Sequence, residues 1–281
     1  MPKSYIVTPT APTFNVCLVG DPGSGKTSLA ATAQDHPMMR NVMFLNVEGG
    51  LLSVAHRGDI RAVNIRSTGH LEETMIKLIQ RDKEYKDVKT VVLDSATEAQ
   101  TLNLEEIVAA EMDKPNRNKK RTPDKIWQDD YGVSTTQLKR IFRRLKDMRR
   151  HMIFTTLAKY VYPKVPEGTD LTNIDPITVM PSLTAKLASS LMGYVDFVWF
   201  CYHDTEDDKF KVLTKQNEAY FAKTRGPLFQ HAIGDVFEWD VARPETGLPH
   251  AYDLFVKSAT DNRPPAKETS TRSRKKKVAT K

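Results

Sequence analysis

The sequence predicts an α/β domain in which a mostly parallel central sheet is flanked by helices. Short apolar runs recur at residues 14–20, 41–47, 90–93 and 152–157, the pattern of strands buried on both faces. Segments with helical apolar spacing alternate with them through residue 157, as βαβ units require. Three later runs, 194–202, 210–215 and 220–224, predict a meander that finishes the sheet.

Taken in order, FNVCLVG (14–20) is a strand that ends in glycine, and a helix starts at 26–34. NVMFLNV (41–47) is a second strand, closed by Glu48-Gly49-Gly50, and 60–65 a shorter third. Leu71, Met75, Leu78 and Ile79 share a helix face over 71–81. Residues 90–93 form a strand ending at Asp94-Ser95, and a helix follows over 98–111. Turn residues Pro115, Asn116, Asn118 and Pro123 make 113–125 an exposed basic loop. Over 134–148, Leu138, Ile141, Phe142, Leu145 and Met148 form one stripe, with Arg143, Arg144 and other basic residues around the rest. MIFTTL (152–157) is a further strand. Prolines break 158–181, which reads as a long loop of the kind that is functional or disordered. A helix is expected over 183–192. Apolar periodicity fades near Ser258. The expected organisation is therefore an extension over 1–12, one domain over 13–257 and a disordered basic tail over 258–281.

Composition narrows the class. With 40% apolar residues, the 281-residue chain can build a substantial core. No apolar run reaches the roughly 18 residues of a membrane span, and the first 14 residues lack a leader's apolar stretch. The expected location is the cytoplasm, without a membrane partner. Cys17 and Cys201 lie inside apolar runs without a CxxC neighbour, so neither a zinc knuckle nor a redox motif is indicated. Of the formal charge of +7, residues 264–281 carry a net +6, which leaves the body about +1. The basic character belongs to the tail, and an acidic partner for the body cannot be read from it.

Gly20-Asp21-Pro22-Gly23-Ser24-Gly25-Lys26-Thr27 fits G-x-x-x-x-G-K-[ST] without a mismatch. Its glycines let successive amides point at phosphate oxygens, and Ser28 continues the loop into the helix. Lys26 supplies charge for the β and γ phosphates of ATP, and the Thr27 hydroxyl can ligate Mg²⁺. Asp94, at a buried strand's end, either holds Mg²⁺ or caps the next helix, a task open equally to Ser95. Glu48 is either a general base for the attacking water or an exposed turn glutamate.

With these pieces together, the chain resembles the RecA-like P-loop ATPases of bacteriophages, in the group that includes phage single-strand annealing proteins. The resemblance rests on residues 17–28 (CLVGDPGSGKTS), 46–50 (NVEGG), 90–97 (TVVLDSAT), 127–132 (WQDDYG), 152–157 and 222–225 (AKTR). It implies that Glu48 is the catalytic glutamate and that Thr155 or Thr156 is the polar sensor of the γ-phosphate. It further implies that Lys223 and Arg225 are basic fingers reaching a neighbouring subunit's nucleotide, hence a homo-oligomer. Single-stranded DNA would bind loops that follow the core strands. KYVYPK (159–164) offers Lys159 and Lys164 for phosphates and Tyr160 and Tyr162 for base stacking, or is an exposed loop with two half-buried tyrosines. The arginines of 143–150, the cluster Lys119-Lys120-Arg121 and the tail are alternative contacts. The implied work is single-strand handling or annealing in phage recombination or replication, beside a single-strand-binding protein or another replication protein. Two rivals are a nucleotide-switched binding module with little turnover and a small-molecule phosphotransferase with 113–125 as its lid.

Overall fold

The structure, a computed structural model, describes residues 13–115, 118, 121–164, 166 and 174–260. Both the expected extension over 1–12 and the tail beyond residue 260 lie outside the described residues. Along the chain run β1 (Asn15–Val19), α1 (Lys26–Ala31), β2 (Val42–Asn46), β3 (Arg61–Asn64), α2 (Thr68–Gln80), β4 (Thr90–Asp94), α3 (Ala96–Met112), α4 (Gln128–Lys146), β5 (His151–Thr156), β6 (Ala158–Val161), β7 (Thr178–Pro181), α5 (Ala185–Tyr194), β8 (Phe197–Asp204), β9 (Lys209–Leu213), β10 (Lys223–Thr224), α6 (Pro227–Ile233), β11 (Val236–Trp239) and α7 (Leu248–Thr260).

Six strands pair in parallel in the order β3-β2-β4-β5-β1-β8, and β9 and β11 extend this sheet antiparallel. The α/β class with a parallel centre and late antiparallel strands therefore holds, and β10 returns to pair with β8 instead of continuing the meander from β9. Parallel pairing brings the carboxyl ends of β1, β5, β4 and β2 to one edge, where ligands bind in open α/β sheets. Here β5 lies between β1 and β4.

Side chains alternate across the sheet and fill two cores. Cys17, Val19, Leu93 and Phe154 face α2, α3, α4 and α5, whereas Val16, Leu18, Val92 and Ile153 face α1, α6 and α7. Ser67 caps α2 by accepting from His70 N at 2.9 Å. Arg150, although almost fully buried, donates to the carbonyls of Tyr85, Val88 and Leu78, tying the end of α2 to the entry of β4.

Several boundaries differ from expectation. Helix α4 starts at Gln128 rather than 134, because Asp130 Oδ2 accepts from Trp127 N at 2.8 Å and closes an earlier first turn. Residues 158–161 and 178–181, expected as loop, pair antiparallel as a small two-stranded sheet, with Pro181 at the strand's end where it interrupts nothing. Tyr194 still belongs to α5, so β8 begins three residues later than the apolar run. Beyond 226 the chain adds α6, β11 and α7, and α7 continues to Thr260. Leu248 N donates to Thr32 Oγ1 at 3.0 Å, which seats α7 on the turn that ends α1. Among the described residues no helix is long and apolar enough to cross a membrane.

His151 couples this fold to pH. Its Nδ1 accepts from Phe14 N at 3.0 Å, and its Nε2 faces Met38 O at 3.2 Å as donor. Burial lowers its pKa from the ordinary 6.5 to about 4. The unfolded chain thus takes up a proton before the native one does, and stability is lost as pH falls from 6.5 towards 4. The unfolding free energy should drop by about 3 kcal/mol across that window, measured by urea denaturation, and His151→Gln should flatten the slope.

Candidate nucleotide site

The loop between β1 and α1 is shaped by contacts that leave no room for side chains at two glycines. A Cβ on Gly20 would lie 2.3 Å from the Cys201 carbonyl oxygen and 2.5 Å from Ser24 Oγ. Gly25 has φ +82°, and a Cβ there would meet Phe210 at 2.8 Å and Trp239 at 2.9 Å. Asp21, Pro22 and Gly23 form the exposed outer rim, while Ser24 is buried and Ser28 half-buried in the first turn of α1. Lys26 folds back over this loop. Its Nζ donates to Gly20 O at 2.9 Å, Asp21 O at 2.7 Å and Ser24 Oγ at 3.3 Å. Burial lowers its pKa below the ordinary lysine value, and the nearby Glu48, Asp94 and Asp21 carboxylates pull against that shift. A triphosphate entering the loop supplies the negative charge this desolvated ammonium is missing.

Asp94 ends β4 and is almost fully buried. Its Oδ2 accepts from Thr27 Oγ1 at 3.0 Å, and its Oδ1 accepts from Thr155 Oγ1. Capping of α3 falls to Ser95, whose hydroxyl accepts from Glu98 N at 3.2 Å. That leaves the Asp94 carboxylate to the loop, on the face of the sheet that carries α1. Two hard oxygens about 3 Å apart match adjacent positions of an octahedral Mg²⁺ ion, so Thr27 and Asp94 fit the metal that the loop motif implies. Among the described residues no cluster of three or more acidic, histidine or cysteine side chains could hold a metal.

The strand-end threonines separate. Thr155 shares the face of Asp94, whereas Thr156 points to the opposite core beside Cys17 and has no nitrogen or oxygen partner among the described residues. Burial raises the Cys17 thiol to about 12, so it is an inert packing group. Glu48 is exposed just past β2. Its amide donates to the Asp94 carbonyl at 3.2 Å, and Val47 N to the same carbonyl at 2.8 Å. Asn46 braces this bend by donating to Asn64 Oδ1 at 2.8 Å and accepting from Gly49 N at 2.9 Å. The Glu48 carboxylate also acts electrostatically on Lys26. The structure thus brings Lys26, Thr27, Asp94, Thr155 and Glu48 to one edge of the sheet.

A family model described as an AAA domain matches residues 13–226. The chain belongs to that family. It is accordingly an AAA domain of the P-loop ATPase class, and nucleotide binding is its shared property. No curated protein matches the chain.

Other expected site residues of this AAA domain take different positions. Tyr160, expected as a stacking platform, turns back and donates its hydroxyl to Asp21 Oδ2. Burial and then the Asp21 carboxylate raise the Tyr160 pKa, which keeps that donor protonated. Lys159, Tyr162 and Lys164 stay exposed along the same hairpin. Lys223 and Arg225, expected as fingers toward a neighbouring subunit, cap α5 within the chain. Lys223 donates to the carbonyls of Met192 and Val195, and Arg225 to Gly193 O at 3.0 Å and Asp196 at 2.9 Å. β10 pairs with the start of β8, so both lie at the end of the sheet away from the phosphate loop. Arg121, near the end of the basic 113–125 segment, pairs with Asp130 over the Trp127 ring. Lys119 and Lys120 lie outside the described residues. Sequence reasoning missed Asn46, Phe210 and Trp239. Asn46 sits beside the Glu-Gly-Gly bend and was within reach of it, whereas the two aromatics meet Gly25 only through folding.

Gly20→Ala should weaken nucleotide binding at least about tenfold while circular dichroism stays native, because the backbone must move off the Cys201 carbonyl. Affinity should also fall as pH rises, starting below lysine's ordinary 10.5, as Lys26 loses its proton; calorimetry against Lys26→Met checks this.

Proposed function

We propose that this AAA domain hydrolyses Mg·ATP and uses the cycle to handle single-stranded DNA. The observation that carries the hydrolytic reading is the joining of Thr27, Asp94 and Thr155 by direct hydrogen bonds, with Glu48 suspended from the Asp94 backbone. Loop amides and Lys26 hold the phosphates. Mg²⁺, when bound through Thr27 and Asp94, neutralises charge on the phosphate oxygens. Glu48 orients a water and accepts its proton as the water oxygen bonds to the γ-phosphorus and the bond to the ADP oxygen breaks. Thr155, bonded to the carboxylate of Asp94, registers whether the site is filled.

The DNA reading rests on the hairpin of β6 and β7. It follows the Thr155 strand directly, carries Lys159, Tyr162 and Lys164 outward and is tied to the loop rim through Tyr160 and Asp21. A change at the loop therefore has a physical path to this surface. Assembly as a homo-oligomer and a place in phage recombination or replication, in the host cytoplasm beside a single-strand-binding protein, follow from the resemblance to RecA-like phage ATPases.

Steady-state ATP hydrolysis should rise several-fold with single-stranded DNA and vanish in Lys26→Ala. Hydrolysis indifferent to DNA would remove the nucleic-acid part of this reading. Glu48→Gln should cut kcat by about 10²-fold or more without loosening ATP binding. If DNA binding in that variant still follows nucleotide occupancy, the cycle acts as a switch and turnover only resets it. Tyr160→Phe should lose most of the stimulation by DNA, read in the same assay.

A further inference from the structure

We propose that the base of the bound nucleotide sits in the cavity between α1 and the ends of β9 and β11. This rests on the nucleotide reading above and adds where the base is recognised and by what chemistry. The cavity measures about 420 Å³ and is lined by Phe210, Trp239, Val241 and Thr246, with charged residues at its rim. That volume is within the range of small-molecule sites.

Its position follows from the strands. Phe210 and Trp239 are register partners in the β9–β11 pair, with ring centroids 5.2 Å apart. Both rings abut Gly25, the residue before Lys26. Trp239 is nearly buried, and its indole N–H has no hydrogen-bond partner among the described residues, so packing against Phe210 and the loop sets its place. Phe210 is only half-buried and presents aromatic surface to the cavity. Trp239 and α1 share one face of the sheet, the face of Thr27, Asp94 and Thr155. A nucleotide whose phosphates occupy the loop can reach this cavity without crossing the sheet.

Charge disfavours a second phosphate site. Lys209 pairs with Glu238 at 2.7 Å and Arg243 with Asp240 at 3.1 Å, while Asp208 adds a third carboxylate. The rim thus carries one more negative than positive group. Such a rim disfavours anions and accepts hydrogen bonds from the exocyclic amino group of a neutral heterocycle above an aromatic wall. Trp239, Val241, Arg243 and Thr246 all lie beyond residue 226, outside the match to the AAA family. A second aromatic cavity of about 390 Å³, lined by Tyr160, Phe200, Tyr202 and Tyr220, opens at Asp21 but belongs to the opposite face.

The test compares ATP with inorganic tripolyphosphate by calorimetry on the full chain. Val241→Trp, at an exposed position of the cavity wall, should weaken ATP about tenfold or more and leave tripolyphosphate within about twofold. ATP, but not tripolyphosphate, should change the fluorescence of the wild type, and Trp239→Phe should abolish that change. Equal effects on both ligands, or loss of ATP selectivity in Tyr202→Ala instead, would place the base elsewhere and overturn the inference. A wild type that binds neither ligand would sink the nucleotide reading itself.

Discussion

The carboxylate of Asp94 joins the ends of three neighbouring strands, and the site depends on that junction. One oxygen takes the hydroxyl of Thr27 from the helix after β1, and the other takes the hydroxyl of Thr155 from β5. These contacts are possible only because β1, β5 and β4 lie side by side and end at one level. A carboxylate this deeply buried is costly unless hydrogen-bonded, and the two hydroxyls meet that cost. The same oxygens can turn to a metal when phosphate arrives. The polar work of the site and the parallel register of the sheet are thus one constraint.

Lys26 shows the complementary side of this design. Lys26 is 9% exposed, and its ammonium donates to two backbone carbonyls and the Ser24 hydroxyl. Backbone curvature at Gly20, forced by the Cys201 carbonyl, keeps those oxygens within reach. Part of that support comes from outside the family match. Aromatic contacts of Phe14 and Phe197 with Tyr252 and Phe255 bring α7 over the α1 face, and Trp239 closes against Gly25. The segment after residue 226 completes the core under the phosphate loop.

The two faces of the sheet have different tasks. The α1 face gathers Thr27, Asp94, Thr155 and the base cavity, whereas the opposite face carries Thr156, Cys17 and the aromatic side chains under the β6–β7 hairpin. The bond from Tyr160 to Asp21 spans these regions at the loop's outer rim. It makes the hairpin's position depend on the conformation of the loop that grips phosphate, which is what a nucleotide-driven change in a binding surface requires.

Residue order alone determined the α/β class, the phosphate loop, and Asp94 and Glu48 as strand-end acids, because each is a local pattern: an apolar run, a glycine spacing, a polar residue closing a strand. It also bounded the core, since burial of consecutive residues in β1, β4 and β5 needs only their apolar character. Only the tertiary structure decided between Asp94 and Ser95 as cap and between Thr155 and Thr156 as the residue beside Asp94. Those choices rest on strand alternation and on partners up to 67 residues away, as in Asp94 with Thr27. Short strands broken by proline, and the aromatics behind Gly25, were illegible for the same reason: their stabilising neighbours are distant in sequence, and no local period records them.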